Sequence, residues 1–464
     1  MASASSPNPQ GVKQPKPHLE PKDIKYLALE GGGGKGFAYL GAFQMLEKNQ
    51  SNVNILQQIQ GVAGTSVGAI TALLVSLGMS AADIQKEMEH PSGLADFNDF
   101  FDPATPRLIP KPIVNTGDFY DTRSDNALET AYLTGLSATK PDEMLKLANK
   151  LQELEPPLVK DFFRGWLLNL GPLGILQWLS ETSGGLTRID DRVSKLLPPL
   201  SNIVSDARYF TYWLRDMGFF CGLTARMYFD NLIANRCVGL FGGKKTQYKN
   251  LTFEQHHKLF CPDNAKKRAG KDLLVCGANF STGKSVLFSH RPCHTPAFPV
   301  ADAVRISMSL PFAYKPYVFT RPVKGWPPCG TYIDGGLWNN LPFREVDPTK
   351  QTKNTLALRL EIDEPKSIDN LFGIMGVMLS GFFGSGESQV LREFEKLTIV
   401  LDIRDLSLFK FEPDAKTKIT VTKRSRRTVS DYFGWQISTA DRDKEDEEKT
   451  AKLLKMSACD KLAQ

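Results

Sequence analysis

Gly64-Thr65-Ser66-Val67-Gly68 sets a serine between two glycines, after an apolar run and before the helix-like stretch AITALLVSLG. A G-x-S-x-G at a strand-to-helix turn is a nucleophile elbow, because its glycines admit a cramped turn that pushes the serine oxygen out above the sheet. Such a serine needs a base for its proton and donors for the charge that develops on the attacked carbonyl oxygen. Asp334, in TYIDGGLWNNLP, ends an apolar run and precedes two glycines, which sets a carboxylate at the carboxyl edge of a sheet. Asp-Gly is also ordinary turn chemistry, so the motif alone leaves both readings open. Donors come from EGGGGKG at 30–36, whose backbone amides at a helix start can meet a developing oxyanion.

The glycine loop has two competing readings. As G-x-G-x-x-G after a strand it matches the dinucleotide fingerprint, which also requires an acid about 20 residues further on to hold the ribose. No Asp or Glu occurs between Lys48 and Ala82. The triphosphate loop G-x-x-x-x-G-K-[ST] needs a hydroxyl after the lysine, yet Lys35 is followed by Gly36 and Phe37. The oxyanion reading survives. For the base, the six histidines (His18, His90, His256, His257, His290 and His294) sit in no sharp motif, and His256–His257 in EQHHKLF read as helix-surface positions.

These groups need a frame. Ile24–Leu29 reads as a buried strand ending at the glycine loop, FAYLGAFQMLE as a helix, and Ile55–Ala63 as ending in a second strand before the elbow. Strand, glycine turn and helix, twice over, predict a doubly wound α/β sheet. Residues 91–216 lose the pattern and read as a mostly helical insertion, including the aromatic block Phe162–Leu179. GFFCGLTARMYFDNLI reads as a helix entry and helix, DLLVCGANF with SVLFSH as a hairpin on STGK, and YID and TLALRLEI as further strands. The remainder holds a strand (LTIVLDI), the basic run Lys423–Arg427 and a charged terminal helix.

Composition narrows the class. At 41% hydrophobic and 23% charged, the 464 residues can bury a substantial core. A net charge of +6 is too weak to imply nucleic acid but suits an anionic surface. Seven scattered cysteines without a CxxC pair argue against a disulfide framework or zinc site and for a reducing compartment. Residues 1–21, rich in Ser, Pro and Lys, read as a disordered leader and not a Sec-type signal peptide. No run reaches the ~18 apolar residues of a membrane span, so any membrane contact is expected to be peripheral.

Taken in order, GGGGKG, GTSVG and DGG resemble the patatin-like phospholipases, with their G-G-G-x-[KR]-G loop, G-x-S-x-G elbow and D-G-[GA] motif. The blocks NLTFEQ, DLLVCGANFSTGKSVLFS, PVADAVRISMSLPFAYKPYVF and DGGLWNNLP follow in the family's order, so the resemblance covers roughly 22–90 and 217–362. It implies a three-layer α/β/α fold with a central, mostly parallel sheet, as a catalytic domain over 22–362 interrupted at about 91–216 and followed by a C-terminal extension over 363–464. It implies a lipid acyl hydrolase in which Ser66 is the nucleophile and Asp334 the base, without histidine, metal or cofactor. Gly32, Gly33 and Gly34 would form the oxyanion hole, supported by Gly31, Lys35, Gly36, Gly64, Gly68, Gly335 and Gly336.

The expected partners are a lipid substrate and a phospholipid surface. Some bacterial toxins of this family carry extra regions for membrane localisation or a host activator, which extends the expected location from cytoplasm and membrane surface to a secreted effector without a Sec signal. Phe162–Leu179 then reads as a lid or docking element, or equally as a buried subdomain core. The run Lys423–Arg427 reads as a solvated surface, with anionic headgroups as the alternative. Two rival functions remain: an α/β-hydrolase with a Ser-acid-His triad, and a catalytically silent membrane-binding scaffold.

Overall fold

The computed structural model describes residues 19–94, 97–100, 218–220, 222–262, 268–319, 322–360, 394–403, 406 and 413–435. Most of the insertion, its aromatic block, the charged terminal stretch and most of the leader lie outside the described residues. Leu19, the first described residue, is already buried in the core.

Ten strands occur among the described residues: β1 (Tyr26–Leu29), β2 (Gly61–Thr65), β3 (Gly218–Phe220), β4 (Asp272–Asn279), β5 (Lys284–Phe288), β6 (Phe312–Tyr314), β7 (Tyr317–Phe319), β8 (Gly330–Asp334), β9 (Thr355–Leu360) and β10 (Thr398–Leu401). The main sheet runs β10-β9-β1-β2-β4-β8-β7, with β5 also on β4, while β3 and β6 form a separate pair. From β10 to β4 all pairings are parallel; β4 meets β5 and β8, and β8 meets β7, antiparallel. This is the expected α/β architecture with a mixed, mostly parallel central sheet. YLAL, LLVCGA and TLALRL are near-continuous apolar runs because parallel strands are covered on both faces.

The helices are α1 (Ala38–Glu47), α2 (Ile55–Gln58), α3 (Val67–Ser76), α4 (Ala81–Glu89), α5 (Leu223–Phe241), α6 (Phe253–Phe260), α7 (Val300–Ser307), α8 (Phe343–Val346) and α9 (Ala415–Phe433). Leu27, Leu29, Val62, Leu273, Val275, Leu356 and Leu358 face one large apolar cluster shared with α1, α3 and α7. Their alternates Ala28 and Ala357 face Phe343 and Leu341, and Ala63 and Leu274 face Val346, so α8 lies on the opposite face. Period-two alternation thus assigns each side chain of a strand to one helical layer or the other.

One register relation places the site. Cys276 of β4 pairs with Thr65 of β2 and with Leu287 of β5, so β2 and β5 flank it on opposite edges. Gly277 pairs with Val286 of β5 and Asp334 of β8, so β8 occupies the edge that β2 has just left. Strands β2 and β8 therefore meet head to head along β4, with Thr65 and Asp334 opposite adjacent residues.

Several local expectations shift. Ile55–Ala63 does end in a strand, β2 from Gly61, but it begins as a helical turn, Ile55–Gln58, whose Gln57 N–H donates to the Asn54 side chain at 2.8 Å. GFF, read as a helix entry, is strand β3, paired in parallel with β6. Helix α9 was not anticipated, since Thr417, Ile419, Thr420, Val421 and Thr422 are poor helix formers. It forms because Val421, Ser425, Val429 and Tyr432 bury one face, and it packs on α1 and β10. The basic run Lys423–Arg427 consequently divides. Lys423 and Arg427 are exposed, while Arg426 Nε donates to Gln44 at 2.5 Å and Arg424 faces Asp402 at 3.8 Å.

Candidate active site

Ser66 stands between the end of β2 and the first residue of α3, at φ 54° and ψ −124°. A non-glycine residue at this φ holds strain on the order of 1–3 kcal/mol, which the surroundings must maintain. Three bonds do so. The Ser66 N–H donates to Ser307 Oγ at 2.9 Å, Ser307 Oγ–H donates to the Cys276 carbonyl at 2.5 Å, and the Ser66 carbonyl accepts from Ala69 and Ile70 in the first turn of α3. Gly68 lets the helix approach β1, because a Cβ there would lie 2.4 Å from the Leu29 carbonyl oxygen and 2.6 Å from that of Glu30. Gly64 sits equally tightly against the Gly68 backbone, so the elbow requires both flanking glycines.

Asp334 ends β8 and is fully buried. Its N–H donates to the Ser309 carbonyl at 2.9 Å, and its Oδ1 accepts from the Gly336 N–H at 2.8 Å. Its Oδ2 has no hydrogen-bond partner among the described residues. Burial pushes the carboxyl up to about 7, against the opposing Gly336 N–H and the nearby Ser66 hydroxyl. The Ser66 hydroxyl is close enough to temper the rise, yet no aligned hydrogen bond closes on Oδ2. A buried carboxylate with one oxygen open beside a hydroxyl is placed to take that hydroxyl's proton. Gly335 packs against the Cys276 carbonyl, so the Asp-Gly-Gly turn lies flush on β4.

The glycine loop leaves β1 beside both groups. Gly31 is tied to Asn340 by a pair of bonds, its N–H to the Asn340 carbonyl at 3.1 Å and its carbonyl from Nδ2 at 3.3 Å. A Cβ on Gly31 would meet Asn340 Oδ1 at 2.4 Å and Ser66 Cβ at 3.0 Å, so the loop passes directly over the serine. Residues Gly33–Phe37 form a 3₁₀ turn whose first bond is the Lys35 N–H to the Gly32 carbonyl at 3.2 Å. The N–H groups of Gly33 and Gly34 precede that bond and have no acceptor within the turn. Gly36 contacts Val67, the residue after the serine, and Lys35 is half-buried in the same turn.

The fold thus brings together Ser66, Asp334, the 31–36 loop, Gly64, Gly68, Gly335 and Gly336. Sequence reasoning missed the residues that hold them. Ser307 and Ser309, both fully buried, fix Ser66 and Asp334 through one short segment, SMSLP. Thr65 Oγ1 donates to the Asn339 carbonyl at 2.8 Å, joining the elbow to the segment after Asp334. Glu30 is buried, accepts from the Leu360 N–H at 2.5 Å and pairs with Arg359 at 3.3 Å, anchoring the root of the loop. The one available signal was polarity inside apolar runs: a Glu ending YLAL and two serines amid Ile, Met and Leu.

Four of the described histidines are engaged elsewhere. His256 is buried, not on the surface as its sequence suggested; it stacks on Phe260 and contacts Ser76 Oγ at 3.2 Å. Burial lowers its pKa to about 3, so it stays neutral. His257 bonds Asp272, His290 stacks on His257, and His294 bonds Ser289. The acid Asp302 is engaged by Arg226 at 2.9 Å and Tyr317 at 3.0 Å.

The family profile for patatin-like phospholipases matches residues 27–347. A probable lipid hydrolase, 463L, of Invertebrate iridescent virus 6 is 25% identical over 95 residues, 20% of this chain and 26% of that one. An uncharacterized protein of Acanthamoeba polyphaga mimivirus is 40% identical over 70 residues, 15% of this chain and 23% of that one. The chain therefore spans about a quarter of the length of these two relatives. Among solved structures, VipD from Legionella pneumophila superposes with a TM-score of 0.42 at 19% identity, covering 89% of this chain and 67% of that one. ExoU of the Pseudomonas aeruginosa type III secretion system, in complex with SpcU, gives 0.34 at 19% identity, covering 90% and 53%.

Proposed function

The chain belongs to the patatin-like phospholipase family, and from that premise we propose that it is a serine lipid acyl hydrolase acting through Ser66 and Asp334. The observation that carries the reading is the open Oδ2 of a fully buried Asp334 beside a strained Ser66. Asp334 accepts the hydroxyl proton as Ser66 Oγ attacks the ester carbonyl carbon. The oxyanion of the tetrahedral intermediate meets the amides of Gly32, Gly33 and Gly34, donors that need no reorganisation. Collapse breaks the ester bond; the leaving alcohol takes the proton back from Asp334, and the acyl group stays on Ser66. Water then attacks the acyl-enzyme, giving a proton to Asp334; collapse breaks the bond from Ser66 Oγ to the acyl carbon, Oγ takes that proton back from Asp334, and the fatty acid leaves.

A carboxyl pushed up to about 7 suits this base, since an ordinary carboxylate is too weak near neutrality. The described histidines favour this dyad over a triad, because four of the six bond or stack away from Ser66. The substrate class proposed is membrane glycerophospholipid, met at the surface of the bilayer. Phe280, just past β4, and Trp338, four residues after Asp334, are 38% and 40% exposed and lie 6.2 Å apart at the same end of the sheet. Aromatic rings at the mouth of a site suit an interface with one apolar side. No helix among the described residues is long and apolar enough to cross a membrane.

The test is fatty-acid release from mixed phospholipid vesicles by wild type, Ser66→Ala and Asp334→Ala, with and without cell extract to supply any activator. Release by wild type alone supports the dyad. Near wild-type release by Asp334→Ala would sink it in favour of a histidine base.

A further inference from the structure

At the amino end of β4, away from the candidate active site, three side chains of metal-binding type converge. One donor atom each from His257, Cys261 and Asp272 lies within 4.8 Å of the other two. From these residues we infer a divalent-cation site of zinc type, with His257 nitrogen, Cys261 sulfur and Asp272 oxygen as protein ligands and water in the fourth position.

The donor set is chemically selective. Imidazole, thiolate and carboxylate together suit Zn²⁺ rather than Mg²⁺ or Ca²⁺, which take oxygen. Zinc bonds of about 2.0–2.3 Å put tetrahedral ligands about 3.3–3.8 Å apart, so a pair at the 4.8 Å limit would close by about 1–1.5 Å and the His257–Asp272 pair, at 2.6 Å, would open by about 0.7 Å. The three donors stand on fixed backbone. His257 and Cys261 are one helical turn apart, tied by the Cys261 N–H to the His257 carbonyl at 2.8 Å. Asp272 is held in the sheet, paired with Gly61 and donating its N–H to the Gln60 carbonyl at 3.0 Å. The His257 ring lies flat on His290 with centroids 3.7 Å apart and planes at 5°, which fixes its orientation.

His257 Nδ1 and Asp272 Oδ1 stand 2.6 Å apart, so two of the three donors already face each other. Cys261 is buried, while His257 and Asp272 keep about a fifth of their side chains exposed, which leaves a route for entry. Binding releases the Cys261 thiol proton and frees His257 Nδ1 or Nε2 to coordinate. Thiolate, carboxylate and Zn²⁺ sum to zero charge, which suits a place that also holds Arg268 and Lys271. Sequence spacing hid the site because one ligand lies on α6, the second at its C-cap and the third on a strand eleven residues on. Asp272 is five residues before Gly277, roughly 16 Å along the strand. The ion would therefore staple α6 to the sheet and take no part in the chemistry at Ser66.

The test uses the full chain, freed of metal by chelator, kept reduced, and titrated with Co²⁺ and then Zn²⁺ alone. Wild type is expected to bind about one equivalent of Co²⁺ with a thiolate-to-cobalt charge-transfer band and tetrahedral d–d bands, which Zn²⁺ bleaches. Cys261→Ser should lose the charge-transfer band. Asp272→Asn and His257→Gln should each weaken binding by more than the tenfold to hundredfold that loss of an outer-shell partner costs. Zn²⁺ should raise the melting temperature of wild type and leave that of Cys261→Ser unmoved. A band that persists in Cys261→Ser would assign the ion to another cysteine and overturn the site, as would wild type that binds no Co²⁺ or Zn²⁺ at stoichiometric concentration.

Discussion

Asp334 and Asp272 lie at opposite ends of one strand neighbourhood and have opposite electrostatics. Asp334, facing the carboxyl half of β4, is fully buried with one oxygen open, and its pKa is pushed up. At Asp272, the first residue of β4, burial also pushes upward, but the His257 hydrogen bond and the charges of His290, His257 and Arg268 outweigh it, and the net shift is down. A carboxylate that serves the fold is given partners. One that serves a reaction is kept dry and short of them, because a fully satisfied carboxylate has no affinity left for a substrate proton.

The contrast has measurable consequences, the largest at Ser66. Ser66→Ala should lower fatty-acid release from phospholipid vesicles by about 10⁴-fold or more while leaving the circular dichroism spectrum unchanged. Residual activity within tenfold of wild type would remove Ser66 as nucleophile. Asp334→Asn keeps the shape but not the base, and should cost on the order of 10³–10⁴-fold in kcat. It should also alter the pH dependence of stability. The Asp334 carboxyl holds its proton more tightly folded, at about 7, than unfolded, near 3.8. Its contribution is therefore fully present below pH ~4 and lost as pH rises through 7, by up to about 4 kcal/mol. Wild type should show that downward slope relative to Asp334→Asn in melts from pH 4 to 8; parallel curves would mean Asp334 is not dry.

Activity should carry the same signature. Because the base works deprotonated, kcat/KM should fall about tenfold per pH unit below about 7. A plateau reaching down to pH 5 would exclude a base of this kind. Ser307→Ala removes the acceptor of the Ser66 N–H, a loss of about 1–2 kcal/mol that should appear as roughly tenfold in kcat with little change in KM. In the metal-free protein, Asp272→Asn should have the smallest effect, about 1 kcal/mol of stability and none on turnover. Its sign is the reverse of that at Asp334: the lowered carboxyl stabilises the fold above the unfolded value of 3.8, and that stability is lost as pH falls through the folded value.

Much of the site was legible because its chemistry depends on residue type at short range. Ser66, Asp334 and the 31–36 loop each sit in a motif of three to six residues, and the strands carrying them are short apolar runs. The supporting residues were not legible. Ser307 and Asn340 act across 241 and 309 positions of chain, and neither spacing nor composition records such a contact. His256 was misplaced for the same reason: in EQHHKLF it is one of two histidines on a short polar helix, and only the packing of α6 against Ser76 sends one inward. Helix α9 formed against its propensities because the apolar stripe Val421, Ser425, Val429 finds α1 to cover it.

Local sequence was thus sufficient for the turns and strands that carry Ser66, Asp334 and the glycine loop, since glycine tolerance and apolar runs are properties of neighbouring residues. It was silent on the meeting of β2 and β8 along one edge of β4. That meeting sets Ser66 beside an unsatisfied Asp334, and it depends on strand register across more than 260 residues of chain. Dryness, strain and an open oxygen are properties of enclosure, and enclosure exists only once the sheet has assembled.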